Sequence, residues 1–178
     1  VQAVLQVAAI ELANRSNLSI RDIDEISLRI ERALARIDDD VSLTLADVKF
    51  GLDGLTDLWE SQCEVTWSID IEAERALLND EPLCRALVEL AVEGTLNAIK
   101  HGDAKHVDIR VSVESPAALG LTIRNDGHPP SASGRVGYGT KSLDELCLHW
   151  ELNVDGAETV LHAHIVRAGS TGSVTSTS

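Results

Sequence analysis

Basic side chains are scarce in this chain: fifteen Lys and Arg stand against 29 Asp and Glu, a formal charge of −14. A surface with that balance repels a nucleic-acid backbone or an anionic membrane, so neither is expected as a partner, and an acidic ligand needs a local basic pocket. Cysteine is scarce too. Cys63, Cys84 and Cys147 lack the spacing of a metal site, and an odd count suits the reduced thiols of a cytoplasm better than a disulfide framework. No apolar run approaches the roughly 20 residues of a membrane span, and no charged-then-apolar leader opens the chain, so a soluble, cytoplasmic piece without membrane contact is expected. Methionine is absent altogether, and Val1 already lies inside an apolar helical pattern. Excision from a longer protein would leave that mark, as would removal of an initiator Met. The 178 residues suffice for one ordinary domain, or for about 130 residues of domain with a helical piece attached.

What is present begins with an apolar rhythm. Val1, Leu5, Ala8 and Leu12 recur at spacings of four and three, and Ile23, Ile26, Ile30, Ala33 and Ile37 resume the pattern after a break at Ser16-Asn17. Ser19 and Asp22 supply a capping signal for the second segment. The spacing predicts an antiparallel helical hairpin over residues 1–40. Two short helices bury little alone, so the expected completion is a homodimeric four-helix bundle; packing of the hairpin on its own domain is the alternative.

Beyond Asp38-Asp39-Asp40 the pattern changes. Leu45, Val48, Leu52, Leu55 and Trp59 predict a helix over 43–60, despite Gly51 and Gly54. Val65, Trp67, Ile69 and Ile71 alternate and predict a strand from Cys63 to Ile71. Asp80 before Glu81-Pro82 starts a helix that Gly102 ends. Val107, Ile109, Val111 and Val113 predict a second strand, and Leu119, Leu121 and Ile123 a third, closing at Asn125-Asp126-Gly127. A loop rich in Pro, Ser and Gly runs from His128 to Gly139, followed by a short helix over 140–148. Strands near 149–154 and 158–166 meet at an Asp155-Gly156 turn. The tail, 168–178, is too polar to pack and is expected to be disordered.

The helix that ends at Gly102 carries the most chemistry. At about 100° per residue, Glu93, Asn97 and Lys100 project within roughly 60° of one another, placing a carboxylate, an amide and an ammonium on one face. Such a face can hold hydrated magnesium and a nucleotide phosphate; an amphipathic helix with a solvated polar side is the plainer alternative. Further on, Gly137-Tyr138-Gly139 precedes a predicted helix, where bare backbone amides can approach phosphate oxygens. A P-loop is excluded, because Thr140 separates Gly139 from Lys141 and no strand leads into the segment. His162 and His164 share a strand face, which two histidines leave short of a metal site. No local motif marks an activated Ser or Cys.

The order of these motifs, with Glu93-x-x-x-Asn97-x-x-Lys100-His101-Gly102 the most specific, resembles the ATP-binding domain of histidine kinases. That domain belongs to the superfamily that also holds gyrase and the mismatch-repair ATPases, and the resemblance points to the kinases paired with NarL-type response regulators. It runs from about Trp59 to Val166. The fold it implies is α+β: a two-layer α/β sandwich of the Bergerat type, a mixed sheet with helices on one face, spanning 41–167 after the dimerisation hairpin.

The resemblance also implies roles. Asn97 would give an oxygen to Mg2+, Glu93 would orient the nucleophile or a magnesium-bound water, and Lys100 and His101 would offset phosphate charge. The family's Asp-x-Gly turn, whose Asp accepts a hydrogen bond from the adenine amino group, falls on Asn125-Asp126-Gly127, so an amide replaces the carboxylate. Pro129 stands where a second Gly is usual, and Thr140 where Leu is. Residues 128–136 would be the ATP lid, with Arg135 a phosphate contact beside Gly137 and Gly139, and Thr159 would lie near the adenine. An Asn-Asp-Gly turn, a surface Arg and a strand Thr all have plain structural alternatives.

Family members phosphorylate a His on the first helix of the hairpin, yet the six histidines here (His101, His106, His128, His149, His162 and His164) all lie beyond residue 40. The expected activity is therefore that of a histidine protein kinase's catalytic region, which binds ATP and passes the γ-phosphoryl to a His absent from this chain and thence to a response regulator. Alternatives are a Ser kinase of the anti-sigma-factor type, which the N-terminal hairpin disfavours, and a catalytically degenerate dimerising scaffold.

Overall fold

A computed structural model describes residues 43–129 and 138–167, with the side chains of 138–140 excepted. The expected hairpin of 1–40, the tail of 168–178, Arg135 and Gly137 lie outside the described residues.

Helix α1, Leu45–Trp59, starts at Thr44, whose side chain caps the Asp47 amide while the Asp47 carboxylate caps the Thr44 amide at 2.9 Å. This reciprocal capping satisfies two amides that have no helical partner. Strand β1, Glu64–Ile69, follows. It is shorter than the sequence suggests. Asp70 turns the chain into a helix, α2 (Ile71–Leu77), and Ile71 is 60% exposed rather than part of the buried alternation. The run Glu-Ala-Glu-Arg-Ala-Leu favours helix and buries Ala73 and Leu77, which outweighs one more apolar residue at period two.

Helix α3, Glu81–Gly102, is capped by Asp80, whose Oδ1 accepts from the Leu83 amide at 3.1 Å, and has Pro82 in its first turn. It ends at Asp103 in the left-handed conformation. Strands β2 (His106–Ser115) and β3 (Ala118–Asn125) form a hairpin with an irregularity at Val113–Ser115. Helix α4, Tyr138–Leu146, starts two residues earlier than expected and runs straight into β4, Cys147–Asp155. The last strand, β5 (Glu158–Val166), returns through Gly156, which takes positive φ.

The five strands lie in the order β1-β2-β3-β5-β4, with β1 and β2 parallel and the other pairs antiparallel. Alternation decides the faces. Val107, Ile109, Val111, Leu119, Leu121, Ile123, Leu161, Ala163 and Ile165 are buried beneath the helices. Thr66, Asp108, Arg110, Thr122, Arg124 and His162 alternate with them and line the open face. The result is the expected two-layer α+β sandwich, a mixed sheet with helices on one face.

Helix α3 is the central piece, touching α1, α2, α4 and three strands. Gly94 lets it settle there. A Cβ at residue 94 would meet the Ile123 Cδ1 methyl, which would have to turn aside, so Gly94 leaves the space that this side chain fills between helix and sheet. Among the described residues, no helix is long and apolar enough to cross a membrane.

Candidate functional site

Burying Leu83, Leu87, Leu90 and Leu96 of α3 fixes which side remains outside. Glu93 and Lys100 are half-buried at its edge, while Asn97 and His101 are exposed. Asn97 Nδ2 donates to Glu93 Oε1 at 2.9 Å. That bond turns the amide's donor toward the carboxylate and leaves its oxygen as the atom of choice for a hard cation. An amide oxygen beside a carboxylate is a donor set that suits magnesium. Lys100 and His101 occupy the last turn, where cations also offset the negative end of the helix dipole.

One turn earlier on the same stripe, Glu89 Oε1 accepts from Ser142 Oγ at 2.8 Å and ties α4 to α3. Glu89 repeats the spacing of four between Glu93 and Asn97, a signal the sequence reading passed over. Ser142 gave no such signal. Gly139 and Thr140 lie in the first turn of α4.

The second half of the site is built at the end of β3, opposite the last residue of α3. His128 N donates to Gly102 O at 2.7 Å, drawing the turn against the helix terminus. There is no room for a side chain between them: a Cβ on Gly127 would sit 2.8 Å from Gly102 O and 2.9 Å from Asn125 Oδ1. Asn125 is buried, donating from Nδ2 to Thr159 O at 3.2 Å and accepting at Oδ1 from Gly127 N at 3.0 Å. Buried Thr159, directly opposite Asn125 in the β3–β5 register, donates from Oγ1 to Gly127 O at 3.0 Å. Asn125 and Gly127 thus form one hydrogen-bonded cluster with Thr159, which lies 34 and 32 residues farther along the chain.

Asp126 faces elsewhere. Its Oδ1 accepts from the Lys105 and His106 amides at 2.7 and 2.9 Å, and its Oδ2 pairs with His106 Nδ1 at 2.9 Å. Burial pushes this carboxyl up, but the hydrogen bonds from the His106 ring and from the two amides outweigh it and hold the group at about 2. In return the hydrogen bond to Asp126 raises His106 above its ordinary 6.5, with Glu64 3.4 Å from Nε2 adding to the effect. Asp126 therefore anchors the turn to the start of β2, a position the Asn-Asp-Gly signature does not reveal.

Other groups are set aside by their surroundings. Burial pushes each of the Cys63, Cys84 and Cys147 thiols up to about 11, which leaves them protonated and poorly nucleophilic at neutral pH. His162 pairs with Thr122 Oγ1 at 3.1 Å, and His164 stacks edge-on against His149 with ring centroids 5.9 Å apart. Among the described residues, no group of three or more His, Cys, Asp or Glu could hold a metal ion.

No family model and no curated protein matches this chain. Solved structures do. The blue-light activated histidine kinase of Erythrobacter litoralis EL346 superposes with a TM-score of 0.54 at 21% identity, over 82% of this chain and 55% of that one. The histidine kinase domain of that protein gives 0.56 at 14% identity, covering 93% and 83%. Histidine kinase AdeS of Acinetobacter baumannii gives 0.52 at 14% identity, covering 93% and 94%. The chain spans little more than half the length of the first of these. At such identities the likeness establishes a shared fold.

Proposed function

We propose that this chain is the ATP-binding catalytic region of a two-component sensor histidine kinase. Supporting the reading is the meeting, in a fold shared with histidine kinases, of the Glu93–Asn97 stripe with the buried Asn125–Gly127–Thr159 cluster across the Gly102–His128 bond. Either half alone is commonplace.

In this reading Asn97 would hold Mg2+ through its amide oxygen, and the ion would supply positive charge against the phosphates. Glu93 holds the Asn97 amide in that orientation and accepts from the attacking nucleophile or from a metal-bound water. Lys100 and His101 balance charge on the phosphates, with Arg135 and the amides of Gly137, Gly139 and Thr140 as further contacts. Asn125, Gly127 and Thr159 receive the base. Asp126 fixes the turn that presents them rather than touching the nucleotide.

The γ-phosphoryl group passes to a histidine outside this chain and then to a response regulator, of the NarL type by sequence resemblance. Residues 1–40 pair two copies, and 41–167 act as the catalytic unit in the cytoplasm. Titration with a fluorescent ATP analogue and Mg2+ tests the reading. Saturable binding, weakened tenfold or more by Asn97→Ala, is expected; absence of binding, or an Asn97→Ala variant that binds like wild type, refutes it. Incubation with γ-labelled ATP should leave no stable phosphohistidine on this chain alone.

A further inference from the structure

The face of the sheet turned away from the helices brings two imidazoles together. His164 on β5 lies opposite His149 on β4, and their rings meet edge-on with centroids 5.9 Å apart. His164 alternates with buried Ala163 and Ile165, so both rings stand on the open face rather than in the core. An imidazole nitrogen binds a divalent transition metal at about 2.0–2.1 Å, which puts the ring centre about 3.2 Å from the ion. One ion can therefore join two rings whose centres are up to about 6.4 Å apart. This pair falls inside that span.

The surroundings favour a cation. On β3 the residue opposite His164 is Gly120, which puts no side chain on that flank. Glu114, the extra residue of the irregularity in β2, lies across the space: its Oε1 is 2.7 Å from where a Cβ on Gly120 would be, and it accepts from Ser112 Oγ at 3.3 Å. His164 thus has an imidazole on one side and a carboxylate on the other. Glu151 follows His149 by two residues on the same face of β4 and adds a second negative charge. His162 faces it across the strands but is engaged with Thr122 Oγ1 at 3.1 Å.

We propose that His149 and His164 bind one divalent transition-metal ion, Cu2+ before Zn2+, through one nitrogen each, with water completing the shell that two histidines leave short. Glu114 and Glu151 contribute charge rather than bonds, since no group of three or more His, Cys, Asp or Glu gathers around one point among the described residues. Two nitrogens and water oxygens in a tetragonal arrangement suit Cu2+, which also heads the affinity order of the divalent first-row metals. The ion would tie β4, the outermost strand of the sheet, to β5.

The test is titration of the full chain with Cu2+, in the absence of nucleotide, read by electron paramagnetic resonance. Wild type should take up one tightly held ion whose spectrum carries the splitting of two imidazole nitrogens. Either His149→Gln or His164→Gln should weaken that binding by about tenfold or more, and His162→Gln by less than about twofold. Zn2+ should bind at the same pair more weakly than Cu2+. Wild type that binds Cu2+ no more tightly than the His149→Gln/His164→Gln double variant overturns the proposal, as does a spectrum with a single nitrogen. A loss in His162→Gln equal to that in the other two overturns the choice of pair. If a variant does not fold, the wild-type spectrum decides alone.

Discussion

The two halves of the site are made in opposite ways. The Asn125–Gly127–Thr159 cluster is buried and saturated with internal hydrogen bonds, and it forms as the sheet forms. The Glu93–Asn97–Lys100 stripe lies along the margin of a helix that is held in place by other residues, on its leucine face. Substitution in the first half should therefore disturb folding and binding together, while substitution in the second should disturb binding alone.

The sharpest way to break this contrast is Gly127→Ala. The added carbon meets Gly102 O and Asn125 Oδ1, and we expect a loss of about 2–3 kcal/mol in urea unfolding, with nucleotide binding lost alongside. Next comes a pair. Asn125→Ala leaves a buried amide and a buried carbonyl unpaired and should cost about 2 kcal/mol, whereas Asn97→Ala should change stability by less than about 0.5 kcal/mol. Equal losses from the two variants would erase the distinction between the halves. Ser142→Ala removes a hydrogen bond that ties α4 to Glu89, and a loss of about 1 kcal/mol is expected; thermal melts read it directly.

The smallest effect is in the pH profile. Asp126, held at about 2 against an ordinary 3.8, contributes stability that is complete above pH 3.8 and lost as the pH falls toward 2. His106, raised above 6.5, contributes stability that is complete below pH 6.5 and fades as the pH climbs through its raised value. Denaturation midpoints of wild type and His106→Gln between pH 5 and 9 should converge on the alkaline side. Parallel curves across the whole range would show that the clasp does not respond to protons.

Much of this was legible in the sequence, because periodicity reports burial. Strands β2, β3 and β5 and helix α3 followed from their apolar spacing, and Glu93 and Asn97 from a separation of four on a helix. Helix α2 was missed because Ile71 extends the alternation of β1 by one more step, and nothing in a period of two announces that Asp70 turns the chain. Resemblance brings Asp126 to the site as the middle residue of the Asn125-Asp126-Gly127 turn, whereas neighbouring side chains at a strand end point apart and its carboxylate meets Lys105 and His106 instead. The need for an amide at residue 125 was illegible for another reason: its cause is a carbonyl 34 residues away.

Gly94 and Ile123 carry a consequence for how such a sequence can change over generations. Alanine suits a helix interior better than glycine by about 1 kcal/mol, so Gly94→Ala ought to be a favourable step. It is opposed by the Ile123 Cδ1 methyl, the atom nearest the missing Cβ, which must leave its packed position to make room. Ile123→Val removes that methyl and opens a small void that the new Cβ can enter. The two substitutions are thus acceptable in one order and harmful in the other, and relatives of this chain should carry Gly with Ile or Ala with Val at these positions, seldom Ala with Ile.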